Sequence, residues 1–262
     1  MGGIMELTWL GTAGFRLKTA EHTLLIDPYL SRNERARPEQ PRKASDIHDG
    51  DLIFISHGHF DHILDIPEIV SKTEATIYCG AGIDDTLIQK GVKEDLIRCI
   101  KTDGEEFKFN GLTAQSFFSR HVKFDRWLLI KTLARINFRI PRYLPLLREY
   151  PEGQVLSWRF KIEDKVIHHF GSAGSTSEEL DRLSSQSTDI LLVPLQGHTH
   201  IVKIALKYVS ALLPKVVIPH HQDNFYPPIS TMVNLQPFVA GVPKIAPETE
   251  VRVLEMNQTV TL

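Results

Sequence analysis

The apolar run Leu52-Ile53-Phe54-Ile55 passes straight into Ser56-His57-Gly58-His59-Phe60-Asp61-His62, and this junction constrains the chain more than any other stretch. A short unbroken apolar run reads as a strand buried on both faces. Three imidazoles and one carboxylate therefore leave the end of a rigid element, with Gly58 allowing a sharp turn between the first two histidines. Imidazole and carboxylate are ligands that zinc, iron and manganese accept, and neutral histidine is the commonest of them. The junction marks a candidate metal site built on a strand end.

Strand-like and helix-like segments alternate around it. Strands are expected at 5–10, 15–19, 23–26, 52–55, 76–79 and 96–100, with helices at 64–72 and 84–90. Segments 106–109 and 112–118 pair as a hairpin across Asn110-Gly111. A second block has strands at 155–162, 166–170, 190–194 and 216–218, with helices at 177–183 and 202–213. Two mixed blocks of this kind give an α/β class. A length of 262 residues suits one large domain over 1–262. No stretch approaches the ~20 apolar residues that span a bilayer, and Met1-Gly2-Gly3-Ile4-Met5 lacks a signal-peptide core. Cys79 and Cys99 have no metal-binding spacing, which points to a reduced, cytoplasmic setting. The net charge of −2 argues against a nucleic-acid partner.

Residues 120–148 depart from this pattern. Eight Lys and Arg stand there against the single acid Asp125, a local charge of +7 that leaves −9 for the rest of the chain. On a helix, Leu129, Leu133, Ile136 and Ile140 share one face, and Lys131, Arg135 and Arg139 share another. Pro141 and Pro145 end the element. The segment reads either as an ordinary helix packed on the domain or as a cap beside the site. A cap would meet an anionic small-molecule or lipid substrate, a membrane surface to which the protein is peripheral, or a second subunit in a homo-oligomer.

H-x-H-x-D-H after a strand resembles the signature of the metallo-β-lactamase superfamily, and four further motifs keep that family's order. They are Leu24-Leu25-Ile26-Asp27-Pro28-Tyr29, Ser119-Arg120-His121, Phe170-Gly171-Ser172-Ala173-Gly174 and Val216-Val217-Ile218-Pro219-His220-His221. The resemblance implies a four-layer αββα sandwich. It implies a first metal on His57, His59 and His121 and a second on Asp61, His62 and His221, with Asp27 supporting the loop without binding metal. Zinc is the expected cofactor, one or two ions, with manganese or iron as further candidates. Ser172 stands where the family usually carries a bridging Asp, and a neutral hydroxyl is the poorer ligand, so the second metal is expected to bind more weakly. Residues 8–15 with Ile26-Asp27-Pro28 resemble the branch that contains ascorbate-6-phosphate lactonase and N-acyl-phosphatidylethanolamine phospholipase D.

The implied activity is metal-dependent hydrolysis of an anionic ester: a phosphodiester, including a phospholipid, or a phosphorylated lactone. A non-hydrolytic di-iron redox protein and a metal-stabilised binding module stay open at this point. Asp61 is expected either to hold the second metal or to orient the water and accept its proton. His198 and His200 follow the strand at 190–195 and are candidate proton donors or substrate contacts. On a strand end His220 and His221 point opposite ways, so only one of them is expected to reach the metal, and the resemblance favours His221. His168 and His169 are expected to satisfy buried hydrogen bonds, and Asp223 is a candidate for restoring the charge lost at Ser172.

Overall fold

Leu52 and Phe54 pack into one hydrophobic cluster, while Ile53 between them packs into another. Side chains alternate across a strand, so a strand apolar at every position has a hydrophobic layer on each face. The computed structural model describes residues 5–136, 145–146 and 148–262, and it shows this arrangement in two sheets.

The first sheet holds β1 (Glu6–Gly11), β2 (Gly14–Lys18), β3 (Thr23–Ile26), β4 (Leu52–Phe54), β5 (Thr76–Gly80), β6 (Ile97–Ile100) and β14 (Thr259–Thr261), in the order β14-β1-β2-β3-β4-β5-β6. The second holds β7 (Glu106–Phe109), β8 (Leu112–Phe118), β9 (Leu156–Ile162), β10 (Lys165–Phe170), β11 (Ile190–Pro194), β12 (Val216–His220) and β13 (Glu250–Val251), in the order β13-β12-β11-β10-β9-β8-β7. Between the sheets, Leu24, Ile26 and Phe54 meet Trp158, Phe160 and Leu192. Outside the first sheet, Leu25, Ile53 and Ile77 are covered by α1 (Phe60–Ile63), α2 (Ile66–Thr73) and α3 (Ile83–Gln89). A further helix, α4 (Arg126–Ile136), precedes those of the second sheet. Outside that sheet, Leu191, Val193 and Val217 are covered by α5 (Ser177–Ser184), α6 (Ile201–Leu212) and α7 (Gln236–Ile245). Three apolar layers separate four layers of secondary structure, which is the αββα sandwich. Trp158 ties the sheets together: it is fully buried, its ring lies 4.9 Å from Phe54, and Nε1 donates to Ile55 O at 3.0 Å.

β3 to β6 run parallel, as do β10 to β13. Loops at the carboxyl ends of parallel strands form the usual ligand crevice of an open α/β sheet. Asp27 follows β3 and residues 55–59 follow β4 at this end. Gly171 and Ser172 follow β10, Gln196 follows β11 and His221 follows β12.

Three features differ from expectation. The helix expected from Leu64 starts at Ile66, because a separate turn, α1, takes Asp61 and His62. The Asp65 carboxylate between the two accepts the Leu30 and Ser31 N–H groups. Helix α7 and the edge strands β13 and β14 have no counterpart in the sequence reading. Two or three residues are too few for an alternation to register. The helix end expected at Pro141, with Arg139, Ile140 and Arg142, lies outside the described residues.

Candidate metal centre

Gly58 is required by close approach and not by the sharp turn expected of it. Its N–H donates to Glu152 O at 2.8 Å, and a Cβ on it would stand 2.2 Å from Pro151 O. A Cβ on Gly171 would stand 1.9 Å from Ser56 Oγ. The second sheet thus presses directly on the histidine loop of the first.

That contact brings two groups of ligand atoms together. Within each group, His57, His59 and His121 or Asp61, His62 and His221, one atom from every side chain lies within 4.8 Å of the others. The His57 and His62 rings are 3.8 Å apart, so the groups adjoin. These are the two triads that the family resemblance implied. His221 holds its position at φ +59 and Asp27 at φ +43, left-handed conformations that non-glycine residues adopt at a cost and that cluster at functional sites.

Hydrogen bonds fix the rings. His62 Nδ1 lies 2.9 Å from Asp27 Oδ2, and His57 Nδ1 lies 3.0 Å from Ser56 Oγ, which itself donates to Asp27 Oδ2. His121 Nδ1 lies 2.8 Å from Val122 O. With the Nδ1 proton donated to oxygen in each case, the Nε2 lone pair is turned toward the site, as a metal-binding imidazole needs. Burial, reinforced by neighbouring histidines, keeps His57 well below the ordinary histidine range and His121 down at about 4. Burial also lowers His59. Neutral rings are the ligand form. Burial pushes the Asp61 carboxyl up, but His62 and His221 outweigh it and hold the group ionised, well below the usual carboxylate range. His62 runs the other way: burial lowers it, while Asp27 and Asp61 raise it by more. Buried nitrogen and oxygen donors of this kind fit zinc, manganese or iron.

Ser172 Oγ accepts the Val122 N–H at 3.0 Å, which places the hydroxyl at the wall of the site. Asp223 does not replace a missing carboxylate. Its charge is already matched by buried Arg32 at 2.5 Å, and it also accepts the Thr12 N–H. His198 and His200 do not join the site either. Residues 198–200 fold back onto the loop before α4: the His200 N–H donates to His198 Nδ1, and Asp125 accepts the Thr199 N–H. Neither histidine lines the cavity over the two triads. His168 lies 3.3 Å from Ser157 Oγ and His169 lies 3.1 Å from Ala13 O, the buried bonds expected of them. His220 faces inward against Phe15 and His169, opposite to His221. Cys79 and Cys99 are free thiols on paired strands.

A cavity of about 390 Å³ opens above the triads. Its floor includes His57, His59, Asp61, His62, His121, His221 and Ser172, and α4 forms one wall. The wall is largely apolar, with Leu128, Leu129, Leu133 and Ile136 from α4 facing Phe60, Phe225 and Ile229. Residues from both of the faces expected of this helix reach the cavity. Arg135, from the face assigned to the basic residues, lines the cavity together with Leu129 and Leu133 from the apolar face, and the two leucines are also half exposed. The helix spans the mouth of the site, so part of its apolar stripe lines the cavity and part stays in solvent. Phe225 and Ile229 are site residues that the sequence reading missed, Arg135 was marked only as one of the basic residues of the 120–148 segment, and Ser56 was legible only as the residue before the first histidine.

A family model described as a β-lactamase superfamily domain matches residues 6–221. The chain belongs to that superfamily. A UPF0173 metal-dependent hydrolase of Polynucleobacter asymbioticus is 25% identical, covering 95% of this chain and 85% of the relative. Another, from Methanopyrus kandleri, is 27% identical and covers 97% and 99%. Among solved structures, Igni18, a metallo hydrolase of Ignicoccus hospitalis, matches with a TM-score of 0.73 at 24% identity over 99% of this chain and 98% of its own, a likeness of fold. Among the described residues, no helix is long and apolar enough to cross a membrane.

Proposed function

We propose that the chain is a metal-dependent hydrolase of an anionic ester that carries an apolar portion, with a phosphodiester such as a phospholipid ahead of a phosphorylated lactone. The observation that carries this reading is the joint lining of one cavity by both ligand triads, an apolar wall and Arg135. The relatives described as metal-dependent hydrolases support the reaction class. Residues 8–15 and 26–28, which resemble the lactonase and phospholipase D branch, agree with a phosphorylated substrate.

In this reading His57, His59 and His121 hold the first ion, and Asp61, His62 and His221 hold a weaker second one. Zinc suits the all-imidazole first triad best. Such a cation supplies Lewis acidity, which polarises a substrate oxygen and brings the pKa of a water toward ~7. Where the second ion is not bound, ionised Asp61 would orient a water and accept its proton. Arg135 supplies a fixed positive charge to the substrate anion. Its Nε is buried without a hydrogen-bond partner among the described residues, which leaves a donor free for an incoming oxygen. The leucines of α4 exclude water and hold the apolar ester group. One carboxylate among six donors favours hydrolysis over di-iron redox chemistry. The sheets contribute jointly to both triads, so we take 1–262 as one unit. The free thiols agree with a cytoplasmic location.

Zinc-loaded protein is expected to cleave a chromogenic phosphodiester, with kcat/KM rising up to about tenfold or more for each methylene added to the ester group until the cavity is filled. Rapid opening of phosphorylated lactones with inert phosphodiesters would reverse the order of substrates. Failure of both, with metal bound, would leave the binding-module reading in its place.

A further inference from the structure

The outward face of α4 is the wrong way round for a helix in water. Trp127 is 67% exposed, and Ile130, Leu133, Leu129 and the preceding Phe124 are each about half exposed. At 100° per residue, Leu129, Leu133, Ile130 and Trp127 form one continuous arc on the outside of the helix. Arg126 and Lys131, also exposed, sit in and beside that arc. Contiguous apolar surface of this kind marks an interaction site.

Two observations identify the occupant. The first is charge. Residues 120–136 carry Arg120, Lys123, Arg126, Lys131 and Arg135 against the single acid Asp125, five minus one or +4, in a chain of net charge −2. A second copy meeting this face through its own equivalent face would bring two such clusters together, a like-charge contact that opposes association. The second is composition. An exposed Trp beside leucine, isoleucine and basic residues on a short helix is the pattern of a helix lying in the plane of a membrane surface, with the rings at headgroup depth and the cations on anionic lipid.

We propose that α4, with Lys123 and Phe124, docks the protein onto an anionic lipid surface. Leu129 and Leu133 both belong to the exposed arc and line the cavity over the triads. The cavity therefore opens along the docking face, and an amphiphile can pass from the bilayer to the site without crossing water. Docking itself needs no turnover, so it stands or falls separately from the hydrolase reading.

The chain contains its own reporter. Of its three tryptophans, Trp9 is 3% exposed and Trp158 0%, so a change in emission on contact with vesicles reports Trp127. Intact protein titrated with phosphatidylcholine vesicles that contain about one third phosphatidylserine is expected to show a blue shift and to co-sediment. Pure phosphatidylcholine is expected to bind far more weakly. The pair Arg126→Glu and Lys131→Glu should lower partitioning by about thirtyfold or more, since each basic residue contributes separately at an anionic surface. The pair Phe124→Ser and Ile130→Ser should lower it by about tenfold or more while leaving the reporter in place. All four residues are exposed, so circular dichroism and the melting temperature should stay unchanged. Equal binding to both vesicle types, or partitioning unmoved by both pairs, overturns the proposal. A blue shift that tracks protein concentration with no vesicles present also overturns it and identifies a second copy as the occupant.

Discussion

Asp27 Oδ2 lies 2.9 Å from His62 Nδ1, and the same carboxylate accepts both the N–H and the hydroxyl of Ser56. One buried side chain thereby sets the ring of His62 directly and that of His57 through Ser56 Oγ. Asp27→Asn is the informative substitution, because asparagine tolerates the φ of +43 at this position while the charge is lost. Metal affinity, measured by competition with a chelator, is expected to fall about 10- to 100-fold. Unchanged affinity would mean that the rings hold themselves in place.

His57→Ala combined with His59→Ala removes two donors from the first triad and leaves the second triad whole. Purified protein should lose its tightly held metal, and the loss should be visible by elemental analysis. Full metal content in the double variant would refute the assignment of the first triad.

Ser172 gives a graded prediction. Zinc titration of the unmodified protein is expected to show two unequal affinities or a single site. Ser172→Asp places a carboxylate at the wall of the site and should tighten the weaker event. Ser172→Ala leaves the Val122 N–H unpaired and should cost about 1–3 kcal/mol of folding stability. Two tight and equal events in the unmodified protein would contradict the weak second site.

His168 predicts a pH dependence away from the triads. Burial, with Arg159 adding to it, holds this histidine down at about 3 in the folded protein. Above its unfolded value of ~6.5 the ring is neutral in both states and the full stability is present. As the pH falls below ~6.5 the unfolded chain takes up a proton that the folded chain refuses, so stability drops by about 1.4 kcal/mol per pH unit. The loss continues until the pH falls through the folded value. Urea unfolding between pH 7 and pH 4 should show this slope, and His168→Gln should remove its share of it. Equal slopes in the two proteins would show that another group is responsible.

The strands of this fold were legible because so many are apolar on both faces, and the hairpin 112–118, the strand 190–194 and the strand 23–26 have the ends read from sequence. Both ligand triads were legible through their motifs. What stayed hidden shares one physical cause. Phe225 and Ile229 reach the site from a loop distant in sequence from the histidine motif, and nothing local in their spacing marks that approach. The choice between the two readings of α4, a packed helix or a cap beside the site, was hidden for the same reason. Periodicity shows that a helix has two faces, but what each face meets is decided by the rest of the molecule. His198 and His200 were placed near the site because their loop leaves the right end of the sheet. Asp125 instead draws that loop onto the start of α4.

Each triad takes two members from the loop after β4 in the first sheet and one from the second sheet, His121 after β8 or His221 after β12. A shift of one sheet against the other would change the geometry of both triads together. Substitutions in the aromatic layer between the sheets are therefore expected to act on both candidate triads at once. A change at Phe54 or Trp158 should alter the two affinities as a correlated pair, so the interior of the sandwich serves as the shared adjustment for the chemistry at its rim.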